Sequence, residues 1–168
     1  MAAQLPRQLR AFNLYNDGRS FAGRIDTFTP PPLAFLTEEH RAGGMDAPVE
    51  LEMGMEALIA TMVISDYDPS IIALLGKQDV PLVARGGVQA QGGRAEPVVI
   101  NMRGMLKGAE LSEWTAGGGK STQNLTYSLT YFRFRQNDVE LVEIDIINMV
   151  RKFGGVDQVA GLRAAIGL

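Results

Sequence analysis

From Val49 to Ser65 the sequence alternates strictly and then changes phase. Val49, Leu51, Met53, Met55 and Ala57 are interleaved with Glu50, Glu52, Gly54 and Glu56. That two-residue period belongs to a half-buried β-strand and is incompatible with a helical stripe. From Leu58 the apolar positions move by one, to Leu58, Ala60, Met62 and Ile64. A one-residue shift moves the apolar set to the opposite face. The pattern therefore predicts a bulge or bend near Gly54–Leu58, with the first half projecting from the body that the second half joins.

The rest of the chain reads as further short strands. Leu9–Tyr15 is a strand closed by Asn16-Asp17-Gly18, a hairpin turn signal. Arg19–Thr29 is expected to be its partner, ended by Pro30-Pro31-Pro32 because proline cannot donate to a ladder. Leu33–Glu39 forms another short strand, and His40–Pro48 a glycine-bearing loop. Asp68-Pro69 opens a helix over Ser70–Leu75 with Gly76 past its end. Strands follow at Val80–Gln91 and Pro97–Lys107 around a Gly92-Gly93 turn. Gly108–Gly119 is a polar connection, and Gln123–Arg135 a strand rich in Thr, Tyr and Phe.

After the Gln136-Asn137-Asp138 turn, the aliphatic run Val139–Val150 predicts a central strand with Val142, Ile144 and Ile146 in the core. Gly154-Gly155 then breaks the chain. In the segment 155–168, Val156, Val159, Ala160 and Leu162 are spaced for one helical face, and Asp157 is placed to cap it. Val156, Val159, Leu162 and Ile166 are its expected docking residues. The fold class is mainly β, an antiparallel sandwich or barrel with one or two short α-helices.

Composition narrows the function. The chain of 168 residues has no cysteine, so disulfides and thiolate metal sites are out of reach. Its net charge is −3, without the basic excess of a nucleic-acid grip. The start MAAQLPRQLR lacks the apolar core of a signal peptide, and no run reaches the length of a membrane span. A soluble protein made in a bacterial-type cytoplasm is expected, with no stable membrane insertion.

Motifs for chemistry fail on context. Gly119-Lys120-Ser121 copies the end of a phosphate-binding loop, but Trp114 holds the position of the first glycine and a strand follows instead of a helix. His40, the single histidine, lies beside Glu38 and Glu39 in an apparent loop and reads as solvated. Glu143 and Asp145 share a strand face, but nothing else marks a cleft. The Arg-Gly tracts at Arg85 and Arg94 read as turns between strands. No catalytic residue, metal ligand or cofactor is expected. Eight methionines remain, of which Met45, Met53 and Met55 sit in or beside the glycine-rich loop. Flexible thioethers on a projecting loop suit an adaptable protein contact, or they pack beneath the loop in their own subunit.

Several stretches carry a family resemblance. ELVEIDIINMVRKFGGVDQVAGLRAAIGL (Glu140–Leu168) resembles the carboxyl terminus of the major tail tube proteins of contractile-tailed phages and of R-type pyocins. EHRAGGMDAPVELEMGMEAL (Glu39–Leu58) resembles the same family, and NLYNDGRSFAG (Asn13–Gly23) fits its opening strand and turn. The resemblance implies one tail tube domain over 1–168, with a projecting loop at about 40–57. It implies six-membered rings, stacked into a hollow tube inside a contractile sheath and driven through the target envelope. Sheath, baseplate and tail terminator proteins are the implied partners, with DNA passing through the lumen unbound. The implied place is a virion or phage-tail-like particle. The expected ring-stacking contacts are Arg41, Gly43, Gly44, Met45, Asp46, Met53 and Met55. The competing reading is a monomeric β-sandwich binding module, with an enzyme third.

Overall fold

The computed structural model describes residues 5–168. Strand β1 (Gln8–Asn16) turns through Asp17-Gly18 into β2 (Arg19–Ser20). That hairpin is shorter than its sequence suggests, because β2 meets only Tyr15 and Asn16. Phe21 leaves the ladder for the core, and Gly23, at φ +79°, reverses the chain into β3 (Ile25–Thr29). β3 pairs with a strand far along the chain instead of with β1.

The long alternating stretch divides as its phase change predicts. β4 (Phe35–His40) and β5 (Val49–Met55) form a separate two-stranded sheet, and β6 (Ile59–Ile64) joins the main one. Leu58, Ala60, Met62 and Ile64 are all buried. A single-turn helix α1 (Pro69–Ile72) follows, starting one residue before its expected place and ending sooner. Its cap is Asp68 Oδ1, which accepts from Ser70 N at 2.9 Å.

The main sheet is built from β7 (Val80–Gln89), β8 (Glu96–Leu111), β9 (Gln123–Gln136), β10 (Val139–Asp145), β11 (Val150–Phe153) and β12 (Val156–Asp157). Its path runs β12-β11-β10-β9-β8-β7-β1-β2, antiparallel throughout. β8 continues through Gly108 to Leu111, so the expected polar connection begins later, at Ser112. β9 serves two neighbours along one edge: residues 123–128 pair with β6, and residues 131–136 with β10. The sheet splits between them, at a register shift beside Gly104. A Cβ on Gly104 would collide with the Ser128 carbonyl and lie 2.7 Å from Leu129 Cα, so only glycine permits this crossing. The core lies between the diverging layers, with Tyr127, Phe21, Leu14, Met62, Leu82 and Met102 among its fully buried side chains.

Two further expectations need correction. Val139–Val150 is not one strand. β10 ends at Asp145, whose Oδ1 accepts from Asn148 N at 2.9 Å, and Met149 at φ +52° sends the chain back as β11. Val142 and Ile144 are buried as expected, but this turn carries Ile146 out of the core to 51% exposure. β10 is flanked by β9 and β11, and it lies toward the β12 end of the sheet, not at its centre. In the terminal segment, Val156 belongs to β12, and helix α2 (Ala160–Ala165) has no side-chain cap. Asp157 instead accepts from Val159 N at 3.2 Å and Arg151 N at 3.3 Å, which ties β12 to β11.

Candidate assembly surface

The β4–β5 hairpin forms a two-stranded sheet of its own, apart from the main sheet. Thr37 pairs with Glu52 and Phe35 with Met55, so three steps on β5 match two on β4. The extra residue is taken up at Met53-Gly54, where Gly54 sits at φ +108°, a conformation that side chains rarely adopt. The bulge separates two environments. Beyond it, Val49, Leu51 and Met53 lie exposed together with Leu36 of β4. Before it, Met55 turns inward and packs against the core.

The opposite face of the hairpin is fastened at its base. Phe35 meets Phe153 of β11 edge to face, with ring centroids 6.2 Å apart. Arg151 lies over the Phe35 ring at 5.0 Å and reaches Glu52 at 2.6 Å. Further out, none of the described residues covers the strands.

The loop joining β4 and β5 is held by its own atoms. Arg41 donates to the carbonyls of Met45 at 3.4 Å and Asp46 at 3.2 Å, and Ala42 N reaches Met45 Sδ at 3.2 Å. Gly44 supplies the required φ of +87°. Of the residues singled out in the sequence, Arg41, Gly43, Gly44, Met45 and Asp46 thus form one compact tip. Met53 stands in the exposed stripe, and Met55 faces the body of its own subunit. His40 ends β4 directly across from Val49 and is exposed.

A second unpartnered apolar surface lies at the chain terminus. Val156, Leu162 and Ile166 are exposed, Val159 is half-buried, and α2 is tied down chiefly through Arg163. That side chain donates to the Met149 carbonyl at 2.8 Å and to Asp157 at 2.9 Å. Docking within the subunit is therefore chiefly polar, and Val156, Leu162 and Ile166 stay exposed.

The face of the main sheet turned from the core is polar and internally paired at its β10–β11 side. Glu143 receives Lys152 Nζ at 2.7 Å and the Tyr131 hydroxyl at 3.1 Å. The lysine ammonium, aided by the phenol, holds the Glu143 carboxyl below its usual range. Burial pushes the Tyr131 hydroxyl up, and Glu143 adds to the effect. This arrangement is an ion-pair ladder, without a cleft around it.

The other motifs find structural uses. Lys120 places Nζ 2.6 Å from Asp26, closing the glycine loop onto β3. Trp114 in that loop is 80% exposed and donates its indole N–H to Tyr67 Oη at 3.1 Å. Its prominence was not foreseen, although a lone tryptophan beside a glycine run was the available signal. Among the described residues no group of acidic or histidine side chains is arranged to hold a metal.

The family and sequence comparisons agree on one family. The chain matches the family described as phage tail tube protein FII over residues 6–167. The tail tube protein of Escherichia phage P2 is 33% identical, over 98% of this chain and 99% of its own length. The major tail tube protein of Serratia phage KSP20 is 32% identical, over 90% of each. Solved structures share the fold at low identity. A chain of the anti-feeding prophage tube-terminating cap aligns with TM-score 0.62 at 12% identity, covering 80% of this chain and 94% of that one. A chain of the PVC sheath–tube complex in its extended state aligns at 0.58 and 10%, covering 77% and 91%. With residues 6–167 matched to its model and a relative one-third identical over nearly the whole chain, the chain belongs to the phage tail tube protein family.

Proposed function

We propose that this chain, acting as one tail tube domain over 1–168, closes into rings of six that stack into a hollow tube within a contractile sheath. Its role is structural, as in its family. Sheath contraction drives the tube through a target cell envelope, and in a DNA-bearing particle the lumen passes DNA without gripping it. Sheath, terminator and baseplate proteins are the partners, in keeping with the assemblies in which the structural neighbours occur. The particle is a virion or a phage-tail-like body.

One observation carries the stacking part of this reading. The β4–β5 hairpin leaves the main sheet and exposes an aliphatic stripe of Leu36, Val49, Leu51 and Met53, on the face that also bears Glu38 and His40. Such a stripe gains nothing in an isolated subunit and gains burial against another copy. The tip formed by Arg41 to Asp46 sets its reach. The exposed Val156, Leu162 and Ile166 provide a second contact, to a neighbouring subunit or the sheath.

Met53→Asp tests the hairpin. Met53 is 57% exposed, so the isolated subunit should keep its circular dichroism and melting temperature. In a stacked ring the carboxylate would be desolvated without a partner, at a cost of a few kcal/mol per subunit, roughly 2–5. Negative-stain microscopy and sedimentation should then show monomers or short ring species and no long tubes. Long tubes of normal appearance would remove the hairpin from the stacking contact.

A further inference from the structure

Two surfaces of this chain carry uncompensated charge of opposite sign. On the hairpin, Glu39 and Glu50 lie directly across from each other, on the side that also bears Thr37 and Glu52. Like charges placed opposite on paired strands repel. Glu52 is relieved by Arg151, but neither Glu39 nor Glu50 has a cation within ion-pair distance among the described residues. From Glu38 to Glu56 the sequence holds Glu38, Glu39, Asp46, Glu50, Glu52 and Glu56 against Arg41 alone. Arg41 is spent on backbone carbonyls of the tip.

The complementary surface is the solvent face of β7, β8 and β9. Arg85, Val99 and Arg135 occupy one cross-strand row, since Arg85 pairs with Val99 and Val99 with Arg135. Arg85 is exposed and lies over the Tyr15 ring at 5.9 Å. Arg135 donates to Asn101 Oδ1 at 3.3 Å, and its Nε has no partner. Neither arginine has a carboxylate within ion-pair distance among the described residues, because Glu140, across from Arg135, is taken by Arg133 at 2.6 Å. Tyr15 and Asn101 hold the two guanidiniums in place, so little side-chain freedom remains to be lost on binding.

Building on the stacking role of the hairpin, we infer that the partner of Glu39 and Glu50 is the Arg85–Arg135 row of a second copy of this chain. A charged hairpin and a charged sheet face on one molecule make a heterologous contact, the kind that repeats along an open assembly. The apolar stripe, on the opposite face of the hairpin, supplies burial in a separate contact. The Glu–Arg contact supplies register and speed of encounter, which makes growth sensitive to salt. An acidic hairpin encoded in the same chain favours a protein partner over nucleic acid for this face, in a protein whose net charge is −3.

Charge exchange tests the pairing in the full chain. Glu39→Arg with Glu50→Arg forms one variant, Arg85→Glu with Arg135→Glu a second, and all four changes a third. Tube length is read by negative-stain microscopy and sedimentation, with circular dichroism as the folding control. Each two-site variant should weaken the ring-to-ring contact about tenfold or more and yield short tubes. The four-site variant should restore long tubes. If a reversed variant fails to fold, the same crossing is made with Gln at all four positions, where the salt dependence of growth should disappear. A four-site variant no better than the poorer two-site variant would overturn the pairing. So would tubes of normal length from Arg85→Glu with Arg135→Glu. A labelled duplex oligonucleotide retained by the unmodified protein and lost with Arg85→Glu and Arg135→Glu, tubes staying normal, would assign the face to nucleic acid. The stacking role of the hairpin is judged separately by Met53→Asp. Loss of tubes there without rescue in the charge exchange would leave stacking intact and remove only the arginine row.

Discussion

Arg151 of β11 sits 2.6 Å from Glu52 of β5 while its guanidinium lies over Phe35 of β4, so one side chain joins both hairpin strands to the main sheet. The Arg151 side chain is only 12% exposed, and Glu52 is 47% exposed. Loss of the arginine should therefore matter more than loss of the acid. Arg151→Ala removes packing as well as charge and should cost about 1–2 kcal/mol. Glu52→Gln, screened by solvent, should cost roughly 0.5 kcal/mol. Hydrogen exchange should report the difference, with faster exchange over 35–55 in Arg151→Ala and little change in β8 and β9.

Gly104 marks the place where β9 passes from β6 to β10 as its neighbour. A methyl group there meets the backbone of Ser128 and Leu129, not the end of a flexible side chain. Gly104→Ala should lower stability by about 2–3 kcal/mol. Chemical denaturation would show it as a lower midpoint. An unchanged midpoint would mean that the two strands separate more easily here than their register implies.

Asn16 and Tyr127 form a buried polar pair, with Asn16 Nδ2 donating to Tyr127 Oη at 3.0 Å. Burial drives the phenol well above its ordinary value. Tyr127→Phe leaves the asparagine amide without an acceptor and should cost about 1–3 kcal/mol. Adding Asn16→Leu removes the orphaned group, and the double variant should recover part of the loss. Thermal melting of the three variants would show the non-additivity.

Glu143 links stability to acid. Its carboxyl is depressed below the ordinary 4.5 by Lys152 first and Tyr131 after it. A depressed folded-state value means that the unfolded chain binds the proton more readily. Its contribution is therefore complete above 4.5 and fades as pH falls below that value. Glu143→Gln should lower the melting temperature near neutrality and flatten its decline between pH 5 and pH 3, about the range where carboxylates titrate. An equally steep decline in the variant would assign the acid sensitivity to other carboxylates, with Asp68, held down by its Ser70 hydrogen bond, the next to test.

The sequence by itself determined what depends on neighbours along the chain. The two-residue period at Val49–Met55 and Ile59–Ile64, the phase change between them, the Asp17-Gly18 turn and the helix start at Asp68-Pro69 are local chemistry, and all appear where their residues stand. Buried Val142 and Ile144 follow from the same alternation. Pairing was a different matter, because hydrogen bonds between strands carry no record of which partner is opposite. Only the tertiary structure gives β7 to β1, gives β3 to β6, and lets β9 divide its edge between β6 and β10. It also decided the aliphatic residues whose pattern was ambiguous. Ile146 leaves the core because Asp145 and Met149 close a turn around it, and Met55 enters because Gly54 absorbs a bulge. The exposed stripe of the hairpin lies at that same limit. Its residues are spaced like any half-buried strand, and only the tertiary structure shows that no layer among the described residues covers them.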